Sequence, residues 1–221
     1  MAGSLRLVLF GPPGAGKGTQ AQLLTEQLEV CHISSGDLFR RHLQQGTPLG
    51  LRASEYMNRG LLVPDEVTID IVLDRVLSLD AEAGFILDGF PRNPNQAKTL
   101  GKALKRRSRG LDKVVHIDVS EEELVRRLGG RYTCRRCDAP HSVALGGETA
   151  DGKCRHCGGD LYQRPDDVPE AVMRRIQVYR TETLPVLDFY RTRGLLVDIP
   201  GEGSVESVNG RVLSALAGVS S

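Results

Sequence analysis

The run Gly11-Pro12-Pro13-Gly14-Ala15-Gly16-Lys17-Gly18-Thr19 combines glycines, a lysine and a hydroxyl in the pattern that holds phosphate. Glycines let the backbone curl until successive N–H groups point at one anion. A helix that starts at the end of the run adds its positive N-terminus. Lys17 brings a mobile point charge within reach of β- and γ-phosphates. Gly14, Ala15, Gly16, Lys17, Gly18 and Thr19 are therefore the candidate triphosphate cradle. The common form of the pattern has Ser or Thr directly after the lysine. Gly18 stands there instead, which removes the usual hydroxyl–Mg²⁺ contact and leaves Thr19 as a phosphate contact.

A second constellation is Cys134-x-x-Cys137 and Cys154-x-x-Cys157, with sixteen residues between the pairs. Two such knuckles can share one tetrahedral ion, and four soft thiolates make a closed, structural zinc site. That leaves Cys31 as a buried, unreactive thiol. His141 and His156 are not needed as ligands. Asp88 ends the apolar run Phe85-Ile86-Leu87, where a carboxylate can anchor Mg²⁺ directly or through water. Arg92 follows at once, after Gly-Phe-Pro, and Arg40 lies upstream. A guanidinium fork matches phosphate oxygens, so both are candidates for gripping a second phosphate.

These groups need elements to carry them. Residues Leu5 to Phe10 read as a buried strand running into the glycine loop. A helix is expected from Lys17 to about Glu29, with Leu23, Leu24 and Leu28 on its apolar face. Residues 36–80 read as helical pieces broken near Gly46-Thr47-Pro48 and Gly60–Pro64. Pro64-Asp65-Glu66 is a helix start. Strands are expected at Phe85–Asp88, Val114–Val119 and Leu195–Ile199. Strands separated by helices imply a parallel sheet, with ligands at its carboxyl edge. The stretch from Arg131 to Asp167 has few large aliphatics and cannot build an ordinary core, so the metal must staple it. Helical periodicity returns at Pro169, with a break or kink expected at Pro185. The end, Gly218–Ser221, reads as frayed.

Three further stretches follow the glycine loop in order: SSGDLFR at 34–40, LDGFPRNPNQA at 87–97, and RPDD at 164–167 with Arg175 beyond. Together they resemble the nucleoside monophosphate kinases, the adenylate kinase family in particular, over nearly the whole chain. The four cysteines resemble the long, zinc-bearing lid found especially in bacterial members. The resemblance implies an α/β fold of P-loop NTPase type. Its five-stranded parallel sheet is flanked by helices and carries two mobile inserted subdomains. The core would be 1–33, 64–126 and 168–221, the monophosphate-binding subdomain 34–63, and the lid 127–167. The implied reaction is reversible transfer from Mg·ATP to AMP, giving two ADP. In that reading Lys17, Asp88, Arg92, Arg131, Arg164 and Arg175 act on the phosphoryl group, and Arg127 lies over the donor nucleotide. Arg40 and Arg92, with Gly89, Arg164 and Arg175, hold the acceptor phosphate. Ser35 and Gln96 sit at its base, with the backbone of Leu62 and Val63 completing the pocket. A glutamine amide has both a donor and an acceptor, which suits an adenine edge. Asp166 and Asp167 would orient the arginines by bidentate pairs.

The composition agrees with a soluble globule. The 221 residues are 40% hydrophobic and 26% charged, with 29 Lys+Arg against 28 Asp+Glu. A net charge of +1 argues against broad nucleic-acid binding. No apolar run approaches the roughly 18 residues of a membrane span, and MAGSLRLVLFG is not a secretory signal. A cytoplasmic monomer binding ATP, AMP and ADP is expected. The alternatives are a UMP/CMP or GMP kinase and, in another class, a zinc-knuckle nucleotide- or nucleic-acid-binding protein.

Overall fold

The computed structural model describes residues 4–137, 139–142 and 152–218. Of the end expected to fray, 219–221 lie outside the described residues.

The apolar run before the glycine loop forms β1 (Arg6–Phe10), whose Leu7, Val8, Leu9 and Phe10 are all buried. Burial on both faces marks a central strand of a parallel sheet. Around it lie β2 (Cys31–Ser34), β3 (Phe85–Asp88), β4 (Lys113–Asp118) and β8 (Leu196–Pro200). The order is β2-β3-β1-β4-β8, with every pairing parallel. The strand periodicity splits the core in two. Leu7, Leu9, Ile86, Val115 and Ile117 pack on one face, and Val8, Phe10, Leu87 and Val114 on the other. Leu9 and Ser34 both pair with Asp88, and Phe10 pairs with His116. The glycine loop, Ser34 and Asp88 thus leave the sheet along one edge.

Helices fill the crossovers: α1 (Lys17–Leu28), α2 (Ser35–Gln44), α3 (Pro48–Met57), α4 (Asp65–Leu77) and α5 (Pro94–Arg106), then α6 (Glu121–Gly129), α7 (Pro169–Val178), α8 (Leu184–Arg191) and α9 (Val205–Leu216). The breaks expected in 36–80 separate α2 from α3 and α3 from α4. The Ser34 side chain accepts from the Asp37 amide to start α2, and Thr47 accepts from the Gly50 amide to start α3. The kink expected at Pro185 comes earlier. A π turn over Tyr179–Thr183 joins α7 to α8 without a break, and Pro185 follows it in the first turn of α8.

A second, antiparallel sheet of β5 (Arg131–Cys134), β6 (Pro140–Ser142) and β7 (Leu161–Tyr162) runs in the order β6-β5-β7. Its apolar cluster holds Cys134, Ala139 and Cys154, with Cys157 and Leu161 packed against them. Sulfur takes the place of an aliphatic core there. Among the described residues no helix is long and apolar enough to cross a membrane.

Candidate active site

The glycine loop turns from β1 into α1 with Gly11, Gly14 and Gly16 at φ 152°, 84° and 92°. A Cβ at Gly14 would meet Leu128 Cγ at 2.9 Å, so the close approach requires glycine there as the left-handed backbone does. Lys17, the first residue of α1, folds back over the loop and donates to the carbonyls of Gly11 and Pro12 at 2.7 and 2.9 Å. Burial lowers its pKa to about 8; Arg92, Arg175 and Arg131 push the same way and Asp88 opposes them. Asp88 ends β3 facing this helix, with its Oδ2 3.9 Å from where a Gly18 Cβ would stand. Burial works to raise the Asp88 carboxyl. The contact with His32 and the charges of Lys17, His32 and Arg92 outweigh it and hold Asp88 below the usual range. A charged carboxylate of hard oxygens at the triphosphate end of the loop fits Mg²⁺.

Beyond β3 the chain turns sharply at Gly89, φ 74°. A side chain there would meet Ser35 Oγ at 2.8 Å and an Arg92 guanidinium nitrogen at 2.9 Å. Ser35 Oγ donates to the Gly89 carbonyl at 2.8 Å, and Arg92 Nε donates to the same oxygen at 2.7 Å. The carboxyl end of β3, the start of α2 and Arg92 are thereby tied to one point. Arg40, one helical turn along α2, pairs with Asp37. An open cleft of about 990 Å³, part of it open to solvent, takes in Lys17, Ser35, Arg40, Arg92 and Arg175. The same cleft is lined by Leu62, Val63, Gly89 and Gln96, so of the residues expected at the acceptor all but Arg164 line one cavity.

The arginines flanking the small sheet are held by two aspartates on the 3₁₀ turn Pro165–Asp167. Arg131 Nε donates to Asp167 Oδ2 at 2.8 Å, and its terminal nitrogen donates to Oδ1. Arg175 reaches Asp166 Oδ2 at 2.9 Å and Asp167 Oδ1 at 3.1 Å. The Asp167 side chain is fully buried, so the pair that orients Arg131 is screened from water. Among the described residues Arg164 has no carboxylate partner of this kind. Its Nε is buried without a hydrogen-bond partner among the described residues, and burial together with Arg40 and Arg131 lowers its pKa to about 10. A half-buried cation crowded by like charge suits an anion. Arg127 is placed apart from this group. It is buried on α6, paired with Glu123 at 2.7 Å, and donates to the Gly201 carbonyl at 3.0 Å. With Ala15, Gly16 and Thr19 it lines a small recess on the loop's other side.

The four cysteine sulfurs lie within 4.8 Å of one another, with Cys134–Cys157 at 3.5 Å and Cys137–Cys154 at 3.6 Å. Zinc–sulfur bonds of about 2.3 Å set tetrahedral ligands roughly 3.8 Å apart, so the cluster fits one zinc ion. The amide groups of Arg136 and His156 point at Cys134 and Cys154 sulfurs, and His141 Nε2 lies 3.3 Å from Cys154. These contacts surround the sulfurs from outside.

Sequence reasoning missed three polar neighbours. His32 contacts Asp88 at 3.8 Å from the adjacent strand, and only the strand order brings them together. Asp37 stands three residues before Arg40, a helical spacing that could have been read. Asp65 was read only as a helix start, yet it holds three side-chain amides.

The chain is similar to known proteins over nearly its whole length. Residues 9–195 match the family model described as adenylate kinase. A protein named adenylate kinase from Streptomyces avermitilis is 50% identical over 214 residues, covering 96% of this chain and 97% of its own. Relatives of the same name from Alkaliphilus oremlandii and Dehalococcoides mccartyi are 48% and 45% identical. Each of the two covers at least 95% of this chain, and the chain covers at least 97% of each.

Proposed function

The chain belongs to the adenylate kinase family and is an ATP:AMP phosphotransferase; on that premise we propose how its own residues divide the work. The observation that carries the assignment is the single cleft holding Lys17, Arg40, Arg92 and Arg175 between the glycine loop and the Leu62–Val63–Gln96 pocket. Two phosphate-binding groups on one cavity suit direct transfer between two nucleotides.

In this reading Gly14 to Thr19 cradle the ATP phosphates, and Arg127 lies over the donor nucleotide. Arg40, Arg92 and the backbone at Gly89 grip the AMP phosphate. Ser35, Leu62, Val63 and Gln96 take its base. An AMP oxygen attacks the γ-phosphorus in line. The bond to the β-phosphate oxygen breaks, and two ADP result. The second pKa of a monophosphate is near 6, so AMP is mostly dianionic at pH 7 and needs no general base. Lys17, Arg131, Arg164 and Arg175 spread positive charge around the transferring group. Mg²⁺, held by Asp88 beside the ATP phosphates, would add charge neutralisation there. Zn²⁺ on Cys134, Cys137, Cys154 and Cys157 would act only on the fold of the lid.

The proposed working units are the core (1–33, 64–126, 168–221), the monophosphate-binding subdomain (34–63) and the lid (127–167). Closure of the last two over the core would exclude water, the competing nucleophile. A monomer in the cytoplasm, without nucleic-acid or membrane partners, fits the balanced charge. The test compares acceptors under saturating Mg·ATP. AMP is expected to exceed UMP, CMP and GMP in kcat/KM by about a hundredfold or more. Preference for another monophosphate would move the chain to a different acceptor.

A further inference from the structure

The amide of Gln96 is held from two sides at the wall of the cleft. Its Oε1 accepts the backbone N–H of Arg92 at 2.7 Å, and its Nε2 donates to Asp65 Oδ1 at 2.8 Å. A backbone N–H only donates and a carboxylate only accepts, so the two ends of the amide cannot exchange places. Asp65 is in turn fixed by two more amides. Asn93 Nδ2 donates to Oδ1 at 2.7 Å, and Asn95 Nδ2 donates to Oδ2 at 2.7 Å. Burial works to raise the Asp65 carboxyl, but these three donors outweigh it and keep it ionised well into acid. Asp65 is not among the residues lining the cleft, whereas Gln96 is. Gln96 is 1% exposed, and among the described residues it retains one free hydrogen on Nε2 and one free lone pair on Oε1.

The edge of adenine offers the N6 amino donor beside the N1 acceptor. A 6-oxopurine offers the reverse, an O6 acceptor beside an N1–H donor. A free glutamine serves either pattern by turning its amide half a turn. A glutamine held at both ends serves only one. We propose that Asp65 is a specificity-determining positioning residue. By locking the Gln96 amide it commits the monophosphate site to 6-aminopurines and disfavours 6-oxopurines. This rests on the reading of Gln96 as part of the AMP base pocket.

The test measures kcat/KM for AMP and for IMP, which carries the 6-oxo edge without the extra amino group of guanine. Asp65→Ala should reduce the AMP:IMP ratio about tenfold or more, through a higher KM for AMP and improved use of IMP, with kcat for AMP within about threefold. Asp65→Asn still offers an acceptor to Nε2 and should keep the ratio within about threefold of the parent. A merely structural role would lower both acceptors together and leave the ratio unchanged, which overturns the proposal. A parent enzyme that does not phosphorylate AMP would instead sink the functional reading, so the two failures are distinguishable. If Asp65→Ala does not fold, the ligand-free parent still decides. One Gln96 Nε2 proton, assigned by its loss in Gln96→Met, should lie downfield of ordinary glutamine amides in nitrogen-resolved NMR. Two protons at ordinary shifts contradict the lock.

Discussion

Lys17, proposed to act on the phosphoryl group, folds over the glycine loop onto the carbonyls of Gly11 and Pro12. Its folded pKa of about 8 lies below the ordinary 10.5, because burial and the neighbouring arginines disfavour the charge. The native state therefore binds fewer protons than the unfolded chain between those values, and stability rises with pH across that window. Lys17→Met should thus leave Tm unchanged or raise it while lowering phosphoryl transfer by about 10²–10³-fold. A variant that melts early, or works near-normally, would remove Lys17 from this role. A bound triphosphate favours the charged amine, so ATP binding above pH 8 must take up a proton. ATP affinity should fall more steeply with pH above 8 in the parent than in Lys17→Met, by up to about tenfold per pH unit. Calorimetry in buffers of different ionisation enthalpy reads this, and parallel pH profiles would contradict it. Gly89→Ala has a different signature. The methyl group would meet Ser35 and Arg92, so KM for AMP should rise about tenfold or more while KM for ATP changes little. Equal damage to both constants would place Gly89 outside the acceptor site.

At the scale of elements, the parts most legible in the sequence were those fixed by short-range chemistry. Burial of β1 and β3, the breaks on either side of α3, and the cysteine knuckles follow from local residue types. What stayed hidden depends on which elements become neighbours. His32 reaches Asp88 because β2 lies beside β3. Asp65 reaches Gln96 because the start of α4 meets the start of α5. No local pattern encodes either meeting. The π turn was missed for a related reason, since the path between α7 and α8 shifts before the proline that signals it. The small sheet carries its own prediction. Among the described residues its buried apolar cluster is Cys134, Ala139 and Cys154, small enough that a bound ion would carry much of the fold. Chelating the metal should lower Tm by several degrees while activity at cool temperature falls much less. Early, equal loss of both would assign the metal to the chemistry.

For the whole molecule, the proposed closure of 34–63 and 127–167 over the core is what would separate a kinase from a slow ATPase. The arginines of the lid side, Arg131 and Arg164, and those of the core and acceptor side, Arg175, Arg92 and Arg40, carry like charges that influence one another across the cleft. Like charge works against gathering them, so in the proposed reading bound phosphate would couple assembly of the site to both nucleotides. A reversible cross-link holding 127–167 against 34–63 should slow multiple turnover by blocking product release; an unchanged rate would show that closure does not govern it. The reaction itself is tested most directly with ADP alone. Purified protein, Mg²⁺ and ADP are mixed, and the phosphorus signals of ATP and AMP are followed. Equal amounts of ATP and AMP should appear with the parent and not with Lys17→Met. No products from folded, metal-loaded protein would contradict transfer between two adenine nucleotides in this cleft.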